Sequence, residues 1–325
     1  MRKTIAIAAL GGLLIVGAGQ VAGAAEFKVV PSIALRGEYN DNIFYTSDET
    51  IGDSIGTGSP GLEIINRTER LDLNLDGAFH FIRYQDADEL DSDDYDAQGR
   101  IRYRFTPVLT GSAGAAYIKD SRPDREIEET GLLQGVRTLR RQRYNGGLET
   151  IFNEKTTGAL SYRYQDDDWS SRNRDDEDFT LNSIDALLAY DLSGTIEPTI
   201  GRVHFGYANG DYETSETDYY FATLGFEHYF SEMYSMQLDL GPRYTTTDSE
   251  FDNNANDGVW GGRGYLSLIY TGEFTRVDLT ASYDVDAASG RRGPVESTRF
   301  VGSVRHQLLE KLRLGFSAGY YVNDS

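Results

Sequence analysis

Residues 71–81 read LDLNLDGAFHF, and apolar and polar side chains alternate along this stretch. In an extended chain, one side would carry the apolar set, Leu71, Leu73, Leu75, Phe79 and Phe81. The other side would carry the polar set, Asp72, Asn74, Asp76 and His80. A helix would mix the two sets on its faces, whereas a strand separates them. The stretch therefore predicts a β-strand with one apolar and one polar face.

The same alternation recurs along the whole chain. It is present in RIRYRF at 100–105, in RVDLTASY at 276–283 and in KLRLGF at 311–316. We count fifteen such segments, near residues 31–44, 54–66, 70–84, 94–105, 108–118, 136–152, 157–165, 179–190, 196–208, 219–230, 233–246, 258–270, 275–285, 295–307 and 312–322. A period of two sustained over so many segments predicts an all-β protein.

The connections between these segments alternate between short and long. The short ones lie near 66–69, 106–107, 153–155, 192–195, 231–232, 271–273 and 309–311. The long ones are acidic and lie near 86–94, 119–135, 166–178, 209–218, 247–257 and 286–294. This pattern predicts an antiparallel transmembrane up-and-down β-barrel of about 16 strands when complete. A soluble β-sandwich or solenoid is the alternative, but it does not predict the alternation.

The first residues have the features of a secretory signal peptide. Arg2 and Lys3 precede an apolar run at 5–16, and a small-residue cleavage sequence follows at 22–24. We expect a signal peptide at 1–24, Sec-type export and a barrel over 25–325 in the outer membrane of a Gram-negative cell. Because such barrels have an even strand number, we also expect that closing C-terminal strands are missing, unless the count is wrong by one.

Net charge, cysteine content and the length of the apolar runs each exclude one kind of partner or structure. The net charge of −21 argues against nucleic acid as a partner. The chain has no cysteine and hence no disulfide framework. The apolar runs after residue 25 are too short for a membrane-spanning helix. Outer-membrane lipid is the partner that the alternating pattern predicts.

No pattern in the sequence points to catalysis or to a bound metal. The residues 72–77 begin like a calcium loop, but Arg83 occupies the position of the required glutamate. The four histidines, His80, His204, His228 and His306, are not spaced as metal ligands or beside a nucleophile. We expect no enzyme activity, no cofactor and no metal. The acidic loops supply oxygen ligands for divalent cations, but nothing fixes the geometry of a site, so solvated loops explain them better.

Arginines on predicted polar faces are the candidates for ion or solute selectivity. Those of the segments 94–105 and 136–152 flank a segment of small residues at 111–116 that leaves space in the lumen, and Arg36 of the first segment adds to the same wall. The candidate set, with one accompanying carboxylate, is Arg36, Glu38, Arg100, Arg102, Arg104, Arg141 and Arg143. Charged walls of this kind select ions and polar solutes. The alternative is that these arginines pair with carboxylates such as Asp72, Asp76 and Glu149 and fill the barrel.

The stretch VPSIALRGEYNDNIF at 30–44, followed by SPGL at 59–62, resembles the first strands of a family of outer-membrane porins, the β-barrel porin 2-like family. The specific part of the resemblance covers about the first 85 residues. The resemblance implies an outer-membrane barrel associated with exopolysaccharide export, with polysaccharide or small polar solutes and periplasmic export components as partners.

The leading functional expectation is a channel that passes hydrophilic solute or polymer. The alternative is a non-conducting barrel that acts as a surface adhesin or structural anchor through its long acidic loops. Within EYNDNIF at 38–44, alternation places Glu38 and Asn40 in the lumen and Tyr39 and Ile43 toward lipid. We expect the first strand to leave the apolar part of the membrane near Asp41.

Overall fold

The computed structural model describes residues 26–44, 50–122, 137–171, 178–249, 258–287 and 294–324. The predicted signal peptide at 1–24 lies outside these residues, as do parts of several long loops. Among the described residues, no helix is long and apolar enough to cross a bilayer. A single 3-10 turn, Asp88–Leu90, is the helical element of this part of the chain.

Fifteen strands make up the described structure, and each coincides with one of the segments predicted from alternation. They are β1 (Glu26–Asn40), β2 (Asp53–Arg67), β3 (Leu71–Tyr84), β4 (Ser92–Thr106), β5 (Leu109–Asp120), β6 (Arg137–Asn153), β7 (Thr156–Ser171), β8 (Phe179–Asp191), β9 (Thr199–Tyr212), β10 (Ser215–Tyr229), β11 (Tyr234–Ser249), β12 (Val259–Thr271), β13 (Thr275–Ala287), β14 (Pro294–Leu309) and β15 (Leu312–Asp324).

The strands form one sheet whose hydrogen-bonded order is the order of the sequence. The registered neighbours from β1 to β5 and from β8 to β15 are antiparallel, as an up-and-down meander requires. The chain divides into two compact units. The first contains Met1–Ile127, Leu132–Gly146 and Tyr164–Asp178, and the second contains Glu128–Gly131, Gly147–Arg163 and Phe179–Ser325.

In the first unit, the two faces of the strands differ as the alternation predicts. Phe27, Leu35 and Phe79 stand on the apolar face and are mostly exposed. Asp53 and Asp94 on the polar face are buried. This is the inverse of a water-soluble core, in which large apolar groups are inside and charges are outside. Lipid contact explains an exposed apolar face because hydrocarbon takes the place of a packed core.

The second unit repeats this arrangement and shows how tall the apolar face is. Leu224 and Trp260 are 71% and 72% exposed, whereas Thr217 and Ser297 on the opposite face are buried. A pair of aromatic rings lies at each end of the apolar face of β11. The ring centroids of Tyr244 and Trp260 are 4.9 Å apart at one end, and those of Tyr234 and Tyr270 are 4.8 Å apart at the other.

The distance between these two aromatic pairs matches the thickness of the apolar part of a bilayer. Tyr234 and Tyr244 are ten residues apart, which is about 33 Å along a strand and about 25 Å in height at a tilt near 40°. The outward residues between them are Met236, Leu238, Leu240 and Pro242. An apolar band of about 25 Å between aromatic girdles is the pattern of a barrel strand that crosses the outer membrane.

The first strand ends where the sequence suggested, but Ile43 does not face lipid. β1 stops at Asn40, whose side-chain Oδ1 accepts a hydrogen bond of 2.9 Å from the backbone N–H of Asn42. The chain turns at this point, so the alternation no longer fixes which way the next side chains point. Ile43 is buried against Ile55 and Ile82, and the prediction of a lipid-facing Ile43 is therefore wrong.

Candidate functional site

The candidate site is the polar face of β1–β5 in the first unit, which we call the polar wall. Its charge changes sign along β4, whose polar-face residues are Asp94, Asp96, Gln98, Arg100, Arg102 and Arg104. The acidic end lies next to the long connection between β3 and β4. The basic end lies next to the short turn into β5. The polar face of β4 therefore carries carboxylates at one end and guanidinium groups at the other.

The three arginines of β4 line an open part of the polar wall. Arg100 and Arg102 are paired in register with Gly114 and Ser112 of β5, and Arg104 is paired with Thr110. Because these partners are small, nothing bulky on β5 covers the guanidinium groups, and all three arginines are exposed. The register places this arginine row beside a strand of small residues, and its role in selectivity stays a prediction.

Arg36 and Glu38 lie on the polar wall at the other side of this unit. Both are on β1, and their side chains form an ion pair with each other. Arg36 is paired in register with Thr57 of β2, and Glu38 with Ile55. The Arg36 side chain remains more than half exposed. The pair therefore presents both charges to the same space.

Arg141 and Arg143 occupy a different environment from the β4 arginines. The Nε and Nη2 atoms of Arg141 donate to the two carboxylate oxygens of Asp167 at 2.7 and 2.6 Å. The side chains of Arg141 and Asp167 are 4% and 0% exposed. Gln165 donates to Asp167 at 2.9 Å and accepts from Arg143 at 2.8 Å. These two arginines thus belong to a buried network between β6 and β7.

A cavity of about 500 Å³ opens in the polar wall. It contains a hydrogen-bonded row that sequence spacing did not reveal. The imidazole of His80 lies 2.9 Å through Nδ1 from the hydroxyl of Ser59 and 2.7 Å through Nε2 from the carboxylate of Asp96. These residues come from β2, β3 and β4. They are far apart in the sequence, and only the strand register shows that they meet.

The other three histidines each bond to one side chain among the described residues. His204 lies 3.2 Å from the carboxylate of Asp185. His228 and His306 bond to the hydroxyls of Thr199 and Thr275 at 2.7 and 2.8 Å. No group of three or more metal-ligating side chains occurs within the described part of the chain. The calcium-like residues 72–77 lie within β3 rather than in a loop.

The polar face of the second unit also carries ion pairs. Arg202 lies 3.2 Å from Asp239, and Arg263 lies 3.0 Å from Asp284. The guanidinium of Arg263 also stands 3.7 Å above the ring of Phe221. Paired side chains of this kind fill space, as the filled-barrel alternative requires, and the selectivity role of the arginines stays a prediction. The polar wall has an exposed arginine row, whereas the β6–β7 network and this face are packed with ion pairs.

Comparison with known families supports a barrel. Residues 17–198, more than half of the chain, match the family described as "Putative beta-barrel porin 2". The chain belongs to this family. The resemblance predicted from the first strands is thereby confirmed, and the porin match extends well beyond the 85 residues that carried it. The fold of this porin-family chain is an antiparallel outer-membrane β-barrel fold. No curated protein matches the chain in sequence.

Solved structures resemble this porin-family chain in fold alone. The siderophore receptor PirA from Acinetobacter baumannii has a TM-score of 0.50 at 10% identity, over 94% of this chain and 53% of the receptor. PirA from Pseudomonas aeruginosa has a TM-score of 0.46 at 12% identity, over 91% and 56%. The chain spans about half the length of these receptors.

Proposed function

We propose that this chain forms a channel that passes hydrophilic solutes or a polymer across the outer membrane of a Gram-negative cell. The observation that carries the proposal is the exposed row of Arg100, Arg102 and Arg104 beside the small residues of β5. In a barrel with a filled lumen, neighbouring side chains would bury such groups, whereas these three arginines are exposed. Passage itself needs no covalent step, cofactor or metal.

The charge on the polar wall would set which solutes pass. Charged side chains along a pore attract ions of opposite sign and repel the others. The arginine row therefore favours anions at its end of the lumen, and the acidic long connections favour cations at their end. The remaining candidates divide in role: Arg36 and Glu38 contribute to the wall, whereas Arg141 and Arg143 stabilise the strands that hold it.

Planar-bilayer recording of the refolded protein tests the channel. We expect stepwise conductance and, in the triple variant Arg100→Ser, Arg102→Ser and Arg104→Ser, a shift of selectivity toward cations. The matched control is Arg70→Ser, in the turn between β2 and β3, which should leave selectivity unchanged. Folded protein without conductance steps would favour the non-conducting alternative, an adhesin or anchor that acts through its acidic loops.

Exopolysaccharide is our proposal for the polymer, together with periplasmic export components that would deliver it. The support is the resemblance of residues 30–44 and 59–62 to porins that accompany such systems. A deletion strain should lose surface polysaccharide while its synthesis inside the cell continues. Unchanged surface polysaccharide would remove this substrate and leave the channel itself in place. Export through a Sec signal peptide predicts a mature N-terminus near residue 25, which N-terminal sequencing would check.

A further inference from the structure

We propose that Ser59, His80 and Asp96 form a nucleophilic triad that hydrolyses short-chain esters carried by hydrophilic substrates in the cavity of the polar wall. This activity goes beyond passage of solute, and it does not depend on whether the barrel conducts. The sequence led us to expect no enzyme, because the three residues lie on separate strands and no spacing connects them.

The strand register brings the three side chains together on one face. Ser59 lies on β2 between the registered pairs Gly58–Phe81 and Gly61–Ala78, and is therefore opposite His80. Asp96 is paired with Ala78, which makes it the diagonal neighbour of His80. Directly opposed and diagonal side chains on neighbouring strands are within reach of each other. Because three adjacent strands hold the row, its geometry is fixed by the sheet and not by a loop.

The hydrogen bonds determine which nitrogen of His80 can act as a base. An ionised carboxylate only accepts hydrogen bonds, so the proton of the neutral imidazole lies on Nε2, which donates to Asp96 at 2.7 Å. Nδ1 then carries a lone pair and accepts from the Ser59 hydroxyl at 2.9 Å. A serine is activated when its hydroxyl donates to a base and a carboxylate holds that base in place. This arrangement occurs on unrelated folds.

The other histidines show why His80 is singled out. Hydroxyl–imidazole pairs also occur at Thr275–His306 and Thr199–His228, so such a pair by itself is a common cross-strand contact here. Among the four histidines, His80 bonds to a hydroxyl through one nitrogen and to a carboxylate through the other. The carboxylate holds the tautomer and stabilises the imidazolium that forms during reaction.

The cavity is suited to a small acyl group on a hydrophilic carrier. Its volume of about 500 Å³ falls within the range of small-molecule sites. Beside the triad, Arg36 and Gln98 line it with groups that bind hydroxyls or carbonyl oxygens. Apolar side chains such as Ala34, Ile82 and Ile118 also line it and suit the acyl group. Ala34 is paired with Ser59 and Arg36 with Thr57, so Arg36 is the diagonal neighbour of Ser59. Its positive charge would stabilise a developing oxyanion.

The reaction balances with water as the second substrate. The Ser59 Oγ attacks the ester carbonyl carbon while its proton passes to Nδ1 of His80. The tetrahedral intermediate collapses, the bond from carbon to the alcohol oxygen breaks, and the leaving alkoxide takes the proton from Nδ1. Water then attacks the acyl-serine, and His80 accepts its proton and returns it to Ser59. The products are a carboxylic acid and an alcohol.

The test uses the refolded full chain in detergent, with a fluorophosphonate as covalent probe and p-nitrophenyl acetate as substrate. We expect a phosphonyl adduct on Ser59 in peptide mass spectrometry and ester hydrolysis that Ser59→Ala abolishes. His80→Gln should lower the labelling rate by about 10²- to 10⁴-fold, the usual contribution of a general base. Asp96→Asn should also lower it, because the amide no longer fixes the tautomer.

Matched controls separate a triad from a general effect of the polar wall. Thr275→Ala and His306→Gln alter a hydroxyl–imidazole pair without a carboxylate and should leave both rates unchanged. Heat-modifiable migration on gels confirms that each variant is folded. Folded wild-type protein without an adduct on Ser59 would overturn the proposal, and so would ester hydrolysis that is equal in Ser59→Ala. Conductance is measured separately, so loss of the channel proposal and loss of the triad are distinguishable.

Discussion

Replacing Arg141 by alanine should destabilise the barrel more than any loss of a surface ion pair. Asp167 is fully buried and accepts two bonds from Arg141, at 2.7 and 2.6 Å. Removal of one partner from a buried pair costs about 3–5 kcal/mol, because the other charge stays buried without compensation. Gln165 would still donate to Asp167, so we expect the lower end of that range, about 3 kcal/mol.

The same two strands provide the matched control. On their opposite face, near the strand ends that adjoin the long connections, Arg140 lies 3.4 Å from Asp168, and these side chains are 51% and 54% exposed. An exposed pair contributes about 0–1 kcal/mol, so Arg140→Ala should be nearly neutral. Urea unfolding of the protein in lipid vesicles, followed by tryptophan fluorescence, gives both free energies. Trp169 reports on this region because it is buried against Leu139 of β6.

Two results would refute this reasoning about the buried pair. Equal destabilisation by Arg141→Ala and Arg140→Ala would show that burial of the charge is not what matters. The double variant Arg141→Met with Asp167→Leu replaces both charged side chains by apolar ones of similar volume. Such replacements often leave the free energy of unfolding unchanged. This variant should recover most of the lost stability. A double variant that is as unstable as Arg141→Ala would mean that the ion pair itself supplies the stability.

Three further outcomes follow from single positions. Leu224→Arg, midway along the outward face of β10, should lower the free energy of unfolding in lipid vesicles by about 2–4 kcal/mol, because the charge meets hydrocarbon. An unchanged free energy would place this face away from lipid. Gly241→Ala should destabilise by about 1–3 kcal/mol in the same urea assay, since its Cβ would clash with the backbone oxygen of Ala222. Gly262→Ala, with nothing within 4 Å, is its control, and equal losses would contradict the steric reason. Asp53→Ala removes a buried carboxylate that accepts a hydrogen bond of 2.9 Å from the backbone N–H of Ala87. Backbone amide hydrogen exchange of residues 85–90 should therefore accelerate. Unchanged exchange would mean that other contacts hold that segment.

Alternation was sufficient to predict the strands, because every second residue must suit lipid and the others must suit a polar interior. The fifteen segments and the arginine row of β4 were visible in this way. Alternation fails where a strand ends, and Ile43 shows this: after Asn40 the chain turns, and the side chain is buried instead of meeting lipid.

Contacts between strands could not be predicted from spacing within one strand. The alternation shows Arg141 as a polar-face arginine, but its burial depends on Asp167 of the next strand, and spacing within one strand does not reveal the register between two. The same limit hid the meeting of Ser59, His80 and Asp96. Register depends on the packing of each turn and on small residues such as Gly61, and one sequence alone does not determine these.

The reversal of charge along β4 has a consequence for electrical behaviour. Asp94 and Arg104 are ten residues apart, about 33 Å along the strand. A pore wall that is acidic at one mouth and basic at the other accumulates ions of both signs under one polarity of voltage and is depleted of them under the other. If β4 dominates the charge of an open lumen, current through that lumen should therefore rectify, like a diode. The porin would then conduct unequally in its two directions, with an asymmetry that high salt suppresses.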